Sequence, residues 1–209
     1  MKRTVLLLTL AVILMPVVTS CIEKQGTVGT LISGFMTGYT DSEGYVTLLK
    51  DDFGTEYTVS NKSDKLAPDT LYRMVASVIL NEDKTARIGQ MVPTLSYRAP
   101  ADSTIPDSIK VTDPAEIISM YIGGGYINIY LGIKVSKEDT AHRLLYSQKD
   151  SIGKKKFTIY HNAYGDQPVY TKHAYLSIPL QGYGLSKNDT VFLSCSGYKE
   201  DYERKLVIR

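Results

Sequence analysis

Cys21 stands where a thiol is placed for covalent modification. Lys2 and Arg3 give a positive start, Val5–Val18 follows as an apolar run, and Val18-Thr19-Ser20 leads directly into the cysteine. Basic, apolar, small and then cysteine is the order of a secretory signal that ends in a lipobox. The run is shorter than the roughly 20 residues of a membrane-spanning helix, and Pro16 near its end suits a cleaved signal better than a lasting span. The implied chemistry is diacylglyceryl transfer to the thiol, cleavage before it and acylation of the new N-terminus. An ordinary secretory signal before a chance cysteine would share the same small residues, but the cysteine favours the lipobox. At about 0.8 kcal/mol per buried methylene, several acyl chains make a membrane anchor effectively permanent.

The other residues whose type carries chemistry are His142, His161 and His173. Gathered with Asp166 they could bind zinc, yet their spacing follows no recognised metal motif. His161 shares a strand face with Phe157 and Ile159, so the plainer reading is a core histidine held by backbone or asparagine hydrogen bonds. No metal or other cofactor, and no catalytic residue, is expected. Asp52-Phe53-Gly54 spells a kinase triplet without the rest of a kinase and reads as a hairpin turn. Gly123-Gly124-Gly125 precedes a strand rather than a helix, so it marks a bulge or tight entry rather than a phosphate cradle. The carboxylate pairs Asp51-Asp52 and Glu200-Asp201 fall in turns, where solvation explains them. Cys195 alternates with Val191 and Leu193 on an apolar face and reads as an inert core thiol. With Cys21 acylated it is the only free thiol, so no internal disulfide forms.

The formal net charge of the whole chain is +2. Lys2 and Arg3 leave with the signal, so the mature chain is formally neutral. Neutrality disfavours nucleic acid, which requires a concentrated positive face. Lys154-Lys155-Lys156 sits beside Asp150 in a hairpin turn and is read as solvated. Tyrosine is abundant, with 16 in the chain. Tyr130 and Tyr175, on outward strand faces, form a candidate binding surface for a protein or sugar. The competing account is that tyrosine simply fills strand positions well.

Strands must position all of these residues. Ile127, Ile129, Leu131, Ile133 and Val135 point one way, and Asn128, Tyr130, Gly132 and Lys134 the other, which is a half-buried strand. Ala174, Leu176, Ile178 and Leu180 repeat the pattern. Further strands are expected at 29–37, 45–49, 56–59, 71–80, 86–95, 143–147, 156–161, 191–195 and 205–208, with turn residues between them. Asp113-Pro114-Ala115-Glu116 looks like the start of a short helix. The fold class is therefore all-β, a sandwich or barrel of antiparallel strands. Residues 98–106 are polar, carry two prolines and show no alternation, so they divide the chain as a linker.

With that layout the chain resembles the NigD-like lipoprotein family of anaerobic Gram-negative bacteria. Gly124-Gly125-Tyr126-Ile127-Asn128-Ile129, His142, and Tyr160-His161-Asn162-Ala163 with Asp166 carry the resemblance, together with Leu49 to Gly54 in the first half. Tyr121 stands where a tryptophan is expected. The resemblance implies an N-terminal OB-type barrel and a C-terminal β-sandwich. The expected domains are the signal at 1–20, the lipidated cysteine and tether at 21–27, the barrel at 28–98, a linker at 99–109 and the sandwich at 110–209.

Asp followed by Ser or Thr and a small or aliphatic residue recurs at Thr70, Ser103, Ser108, Thr140, Ser151 and Thr190. The triplet resembles the O-glycosylation site that such bacteria use on exported proteins, and these hydroxyls are expected to carry glycan. The functional expectation is a non-catalytic outer-membrane lipoprotein, an accessory or scaffold subunit with an envelope protein as partner. A surface glycan-binding lipoprotein is the alternative, and a hydrolase with an unrecognised site the third. Ile22-Glu23-Lys24-Gln25 lacks the acidic run associated with surface export in this group, which favours the periplasmic face.

Overall fold

The structure, a computed structural model, describes residues 29–151 and 154–208; Cys21 and the signal lie outside them. Apart from two single-turn 3-10 helices at Asp102–Thr104 and Asp107–Ile109, the regular elements among the described residues are all strands.

The first five strands are β1 (Thr30–Thr40), β2 (Val46–Lys50), β3 (Glu56–Val59), β4 (Leu71–Leu80) and β5 (Thr85–Pro93). They close into a barrel in the order β1-β2-β3-β5-β4. Every pairing is antiparallel except β3 with β5. β1 serves two neighbours, β4 along Thr30–Tyr39 and β2 from Thr37 onward, with a bulge at Tyr39/Thr40 where it bends. This is an OB-type barrel. Its core holds Met36, Leu49, Met74, Ala76, Val78 and Ile88. Alternation along β4 sends Met74, Ala76 and Val78 inward.

The second unit has β6 (Glu116–Gly123), β7 (Tyr126–Val135), β8 (Arg143–Ser151), β9 (Lys154–Asn162), β10 (Tyr170–Pro179), β11 (Thr190–Cys195) and β12 (Tyr202–Val207). One sheet runs β10-β7-β6 and the other β12-β11-β9-β8, and together they make a β-sandwich. The apolar face expected for β7 is fully inside, with Ile127, Ile129 and Leu131 at 0% exposure. Cys195 is buried in this core as expected.

Two local expectations differ. The residues after Asp113-Pro114 form a strand, β6, rather than a helix. Ile117, Met120 and Ile122 lie opposite Leu131, Ile129 and Ile127 of β7, and burying that face outweighs one turn of helix-start chemistry. Of the linker expected at residues 98–106, Ala99, Pro100 and Ala101 are bonded to the sandwich, as are the residues just before it. Leu95 bridges to Leu176 of β10 and Ala101 to Gln148 of β8. Tyr97 stacks on Tyr146 at 4.1 Å. The two tyrosines exchange hydrogen bonds, each backbone N–H donating to the other's hydroxyl at 2.7 Å.

Candidate functional site

The barrel rests on the outer face of the β10-β7-β6 sheet, and that joint is a densely bonded polar site. Phe35 of β1 meets Tyr121 of β6 and Tyr175 of β10 edge-on, at 6.0 and 6.1 Å. Arg73 of β4 leaves the barrel beside Phe35 with 1% of its side chain exposed. Its guanidinium donates to Asp52 in the β2–β3 turn, to Asn128 Oδ1 of β7 at 2.9 Å, and to Thr37 Oγ1 at 3.3 Å. Asp52 Oδ2 accepts from Tyr121 Oη at 2.8 Å and from Asn128 Nδ2 at 3.0 Å. Ser177 Oγ completes Asn128 Oδ1 at 3.0 Å. Burial, and donation to the Asp52 carboxylate, push the Tyr121 hydroxyl above its ordinary value.

The hairpin turn expected at Asp52-Phe53-Gly54 is therefore also the barrel's key into the sandwich. Gly124 has φ +60° in the β6–β7 turn, and a Cβ there would run into Asp52 Oδ1. A Cβ at Gly123 would lie 2.6 Å from Asp52 Oδ2. These glycines give the tight turn expected of them and also let the Asp52 carboxylate close in. Sequence reasoning missed Arg73, although a cation inside the apolar run of β4 was a signal that a partner had to be waiting.

The histidines divide. His142, just before β8, and His161, in β9, approach with Nδ1 and Nε2 2.9 Å apart. His142 Nε2 reaches Asp166 Oδ2 at 3.1 Å. His161 Nδ1 faces the carbonyls of Pro114 and Asp113 at 2.9 and 3.2 Å. Carbonyls only accept, so His161 Nδ1 carries a proton, and an ionised Asp166 requires one on His142 Nε2. A hydrogen bond between the rings needs a third. These hydrogen bonds link the two rings and Asp166 into one chain. Desolvation by burial pushes His161 below its ordinary value. Bonds from the Ser136 hydroxyl and N–H, with His142 adding to them, hold Asp166 down at about 2.

His173 lies elsewhere, exposed and edge-on to Tyr130 at 4.9 Å. Among the described residues no group of three or more His, Cys, Asp or Glu side chains could hold a metal ion. Cys195 is pushed up to about 11 by burial, which leaves little thiolate for chemistry.

Tyr130 and Tyr175 are directly paired across β7 and β10 and stack at 5.1 Å with 13° between their rings. Of the hydroxyls expected to carry glycan, Ser103 and Ser108 are exposed in the two 3-10 turns. Thr70 and Thr140 sit in loops, and Thr190 begins β11, all three half-buried. The Ser151 side chain lies outside the described residues.

The NigD-like C-terminal β-sandwich domain matches residues 99–207. Among solved structures, a NigD-like immunity protein from Bacteroides caccae is 24% identical with a TM-score of 0.69, covering 84% of this chain and 96% of that one. A candidate toxin-related protein from Parabacteroides distasonis is 20% identical with a TM-score of 0.63, covering 85% and 92%. A candidate lipoprotein from Bacteroides fragilis is 15% identical with a TM-score of 0.58, covering 86% and 97%. At such identities the likeness concerns the fold. No curated protein matches the chain.

Proposed function

Because the chain belongs to the NigD-like family, we propose that it acts as a non-catalytic accessory or scaffold subunit that binds a protein in the bacterial envelope. In this reading Cys21 carries the acyl anchor and the folded part faces the periplasm from the outer membrane. One observation carries the binding role. The side chains able to do chemistry spend their bonds inside the fold, whereas large aromatic side chains are left outside it, Phe53 being 96% exposed. Tyr130 and Tyr175, both half-buried, turn their faces to each other and are flanked edge-on by His173 and Phe35, so the pair presents no open ring face. That surface suits a protein better than a sugar, which stacks on an open ring face. In-cell crosslinking of the tagged full chain, followed by mass spectrometry, tests this. A stoichiometric envelope protein is expected; recovery of none would move the assignment to glycan capture.

Glycan is in this reading attached to the chain rather than bound by it, at some of Thr70, Ser103, Ser108, Thr140, Ser151 and Thr190. The neighbouring acids differ in availability. Asp102 is occupied by Ser147, Tyr160 and Lys110, whereas 97% of the Asp107 side chain is exposed. Ser108 is therefore favoured over Ser103. An intact mass of native protein equal to the lipidated polypeptide alone would remove this proposal.

A further inference from the structure

The sandwich has two flanks, and the described residues close only one of them. On the closed flank Leu95 N–H donates to Tyr175 O at 2.9 Å, and Ser177 N–H donates to Leu95 O at 3.0 Å. Farther along, Gln148 N–H donates to Pro100 O at 2.8 Å. An extended stretch thus spans the edges of β10 and β8, with the Tyr97 ring filling the gap between the sheets. On the other flank, β6 and β12 are edge strands with no further strand beside them among the described residues. Between them lies a groove of about 700 Å³.

Its lining is core surface left uncovered. Met120 and Ile122 lie opposite Ile129 and Ile127, and Leu206 lies opposite Val191, so all three face inward with their buried partners. Leu180 and Ile208 complete the apolar lining. Ala115 N–H to Ser196 O ties the two sheets toward the start of β6, and Leu180 N–H to Gly125 O joins the far turn, both at 2.9 Å. The walls, Met120–Gly123 and Lys205–Ile208, seat an extended segment of a few residues at about 3.3 Å each. Alternate backbone groups of an edge strand stand ready to pair with it.

The one charged residue among those lining the groove is a cation. Lys205 lines it and Arg204 is next to it, no carboxylate lines it, and neither cation makes an ion pair among the described residues. Exposed Phe53 follows Asp52, whose carboxylate bonds Tyr121 at the groove's end.

We propose that this flank receives an extended acidic segment of a protein partner, its apolar side chains entering the gap and its backbone pairing with β6 or β12, as residues 95–101 do on the closed flank. The proposal rests on the protein-binding reading above and names the seat and the chemistry of the occupant. It is tested in the source bacterium with the full chain carrying a benzophenone crosslinker at Ser119 or Val207, or at His173 beside the tyrosine pair for comparison. Adducts from 119 and 207 to one protein are expected, with the attached peptide acidic and alternately apolar when sequenced. Arg204→Glu together with Lys205→Glu should lower adduct yield about tenfold or more through like-charge repulsion, with circular dichroism unchanged. No adduct from either position, an adduct with a second copy of the chain, or an attached segment without acidic residues overturns the proposal. Adducts from 173 alone would overturn this seat and keep the protein-binding role. No adduct from any of the three would remove both.

Discussion

Arg73 and His142 are both buried beside a carboxylate, the first where the barrel meets the sandwich and the second within the sandwich. Arg73 carries a charge that does not titrate in water. Its bonds join partners as much as 55 residues away in sequence, on separately packed units. His142 belongs to a residue type whose charge is a removable proton, and its partners His161 and Asp166 belong to the same unit. The first cluster therefore sets the orientation of the two units and is indifferent to pH near neutrality, whereas the second couples acidity to the packing of loops. A fold that must hold two surfaces in fixed relation has reason to build its joint from arginine.

Breaking the joint should have the largest effect. Arg73→Met leaves Asp52 nearly buried without its cation, and removing one partner of a buried pair costs about 3–5 kcal/mol. Urea unfolding should show that loss, and small-angle scattering should show the units no longer held at one angle. The double variant with Asp52→Leu should recover part of the stability, because both charges are then gone. A stability loss under 1 kcal/mol for Arg73→Met would mean that the joint is held by Phe35 and its aromatic neighbours instead.

The histidine cluster should yield a smaller, pH-dependent loss. His142→Ala leaves Asp166 and His161 without their shared partner, at about 1–3 kcal/mol. The sign with pH follows from the two shifts. His161 is lowered, so the unfolded chain takes up its proton first, and stability falls as pH drops below about 6.5. Asp166 is lowered to about 2, so its contribution is complete above the unfolded value near 3.8 and disappears as pH falls from there toward 2. Urea midpoints measured from pH 8 down to 3 should decline in these two windows. In His161→Asn the upper window should flatten, while the Arg73→Met profile should run parallel to wild type.

How much of this was legible in the sequence depends on how local the signal was. Strict alternation in Ile127–Val135 identified the core face, and it also identified Asn128 and Tyr130 as outward. What alternation cannot say is that outward leads to another part of the same chain, and Asn128 is 1% exposed because the barrel covers it. Asp52 and Asn128 are 76 residues apart, and an aspartate in a turn looks solvated on its own. The pairing of His142 with His161 follows from β8 and β9 lying side by side, with Leu144 opposite His161. His173, opposite Gly132 on the outer face, has no path to them. β6 was missed because Asp113-Pro114-Ala115-Glu116 carries the local chemistry of a helix start. In the structure Asp113 instead accepts the Ala163 N–H at 2.7 Å.

Two milder changes probe how finely the joint is fitted. Gly124→Ala forces a side chain into the left-handed region, at about 1–2 kcal/mol, and drives its Cβ toward Asp52, so it should loosen the joint as well as destabilise it. Tyr121→Phe should be the mildest. It keeps the ring against Phe35 and deletes one donor to a carboxylate that retains Arg73 and Asn128. The expected cost is about 1 kcal/mol by urea unfolding, with the scattering profile unchanged. A tryptophan at this position would fill the same aromatic contact, and its indole N–H could donate in place of the hydroxyl. If Tyr121→Trp were to restore what Tyr121→Phe loses, the joint would require only an aromatic ring with a donor, and the departure at 121 from the family's expected residue would leave the joint intact.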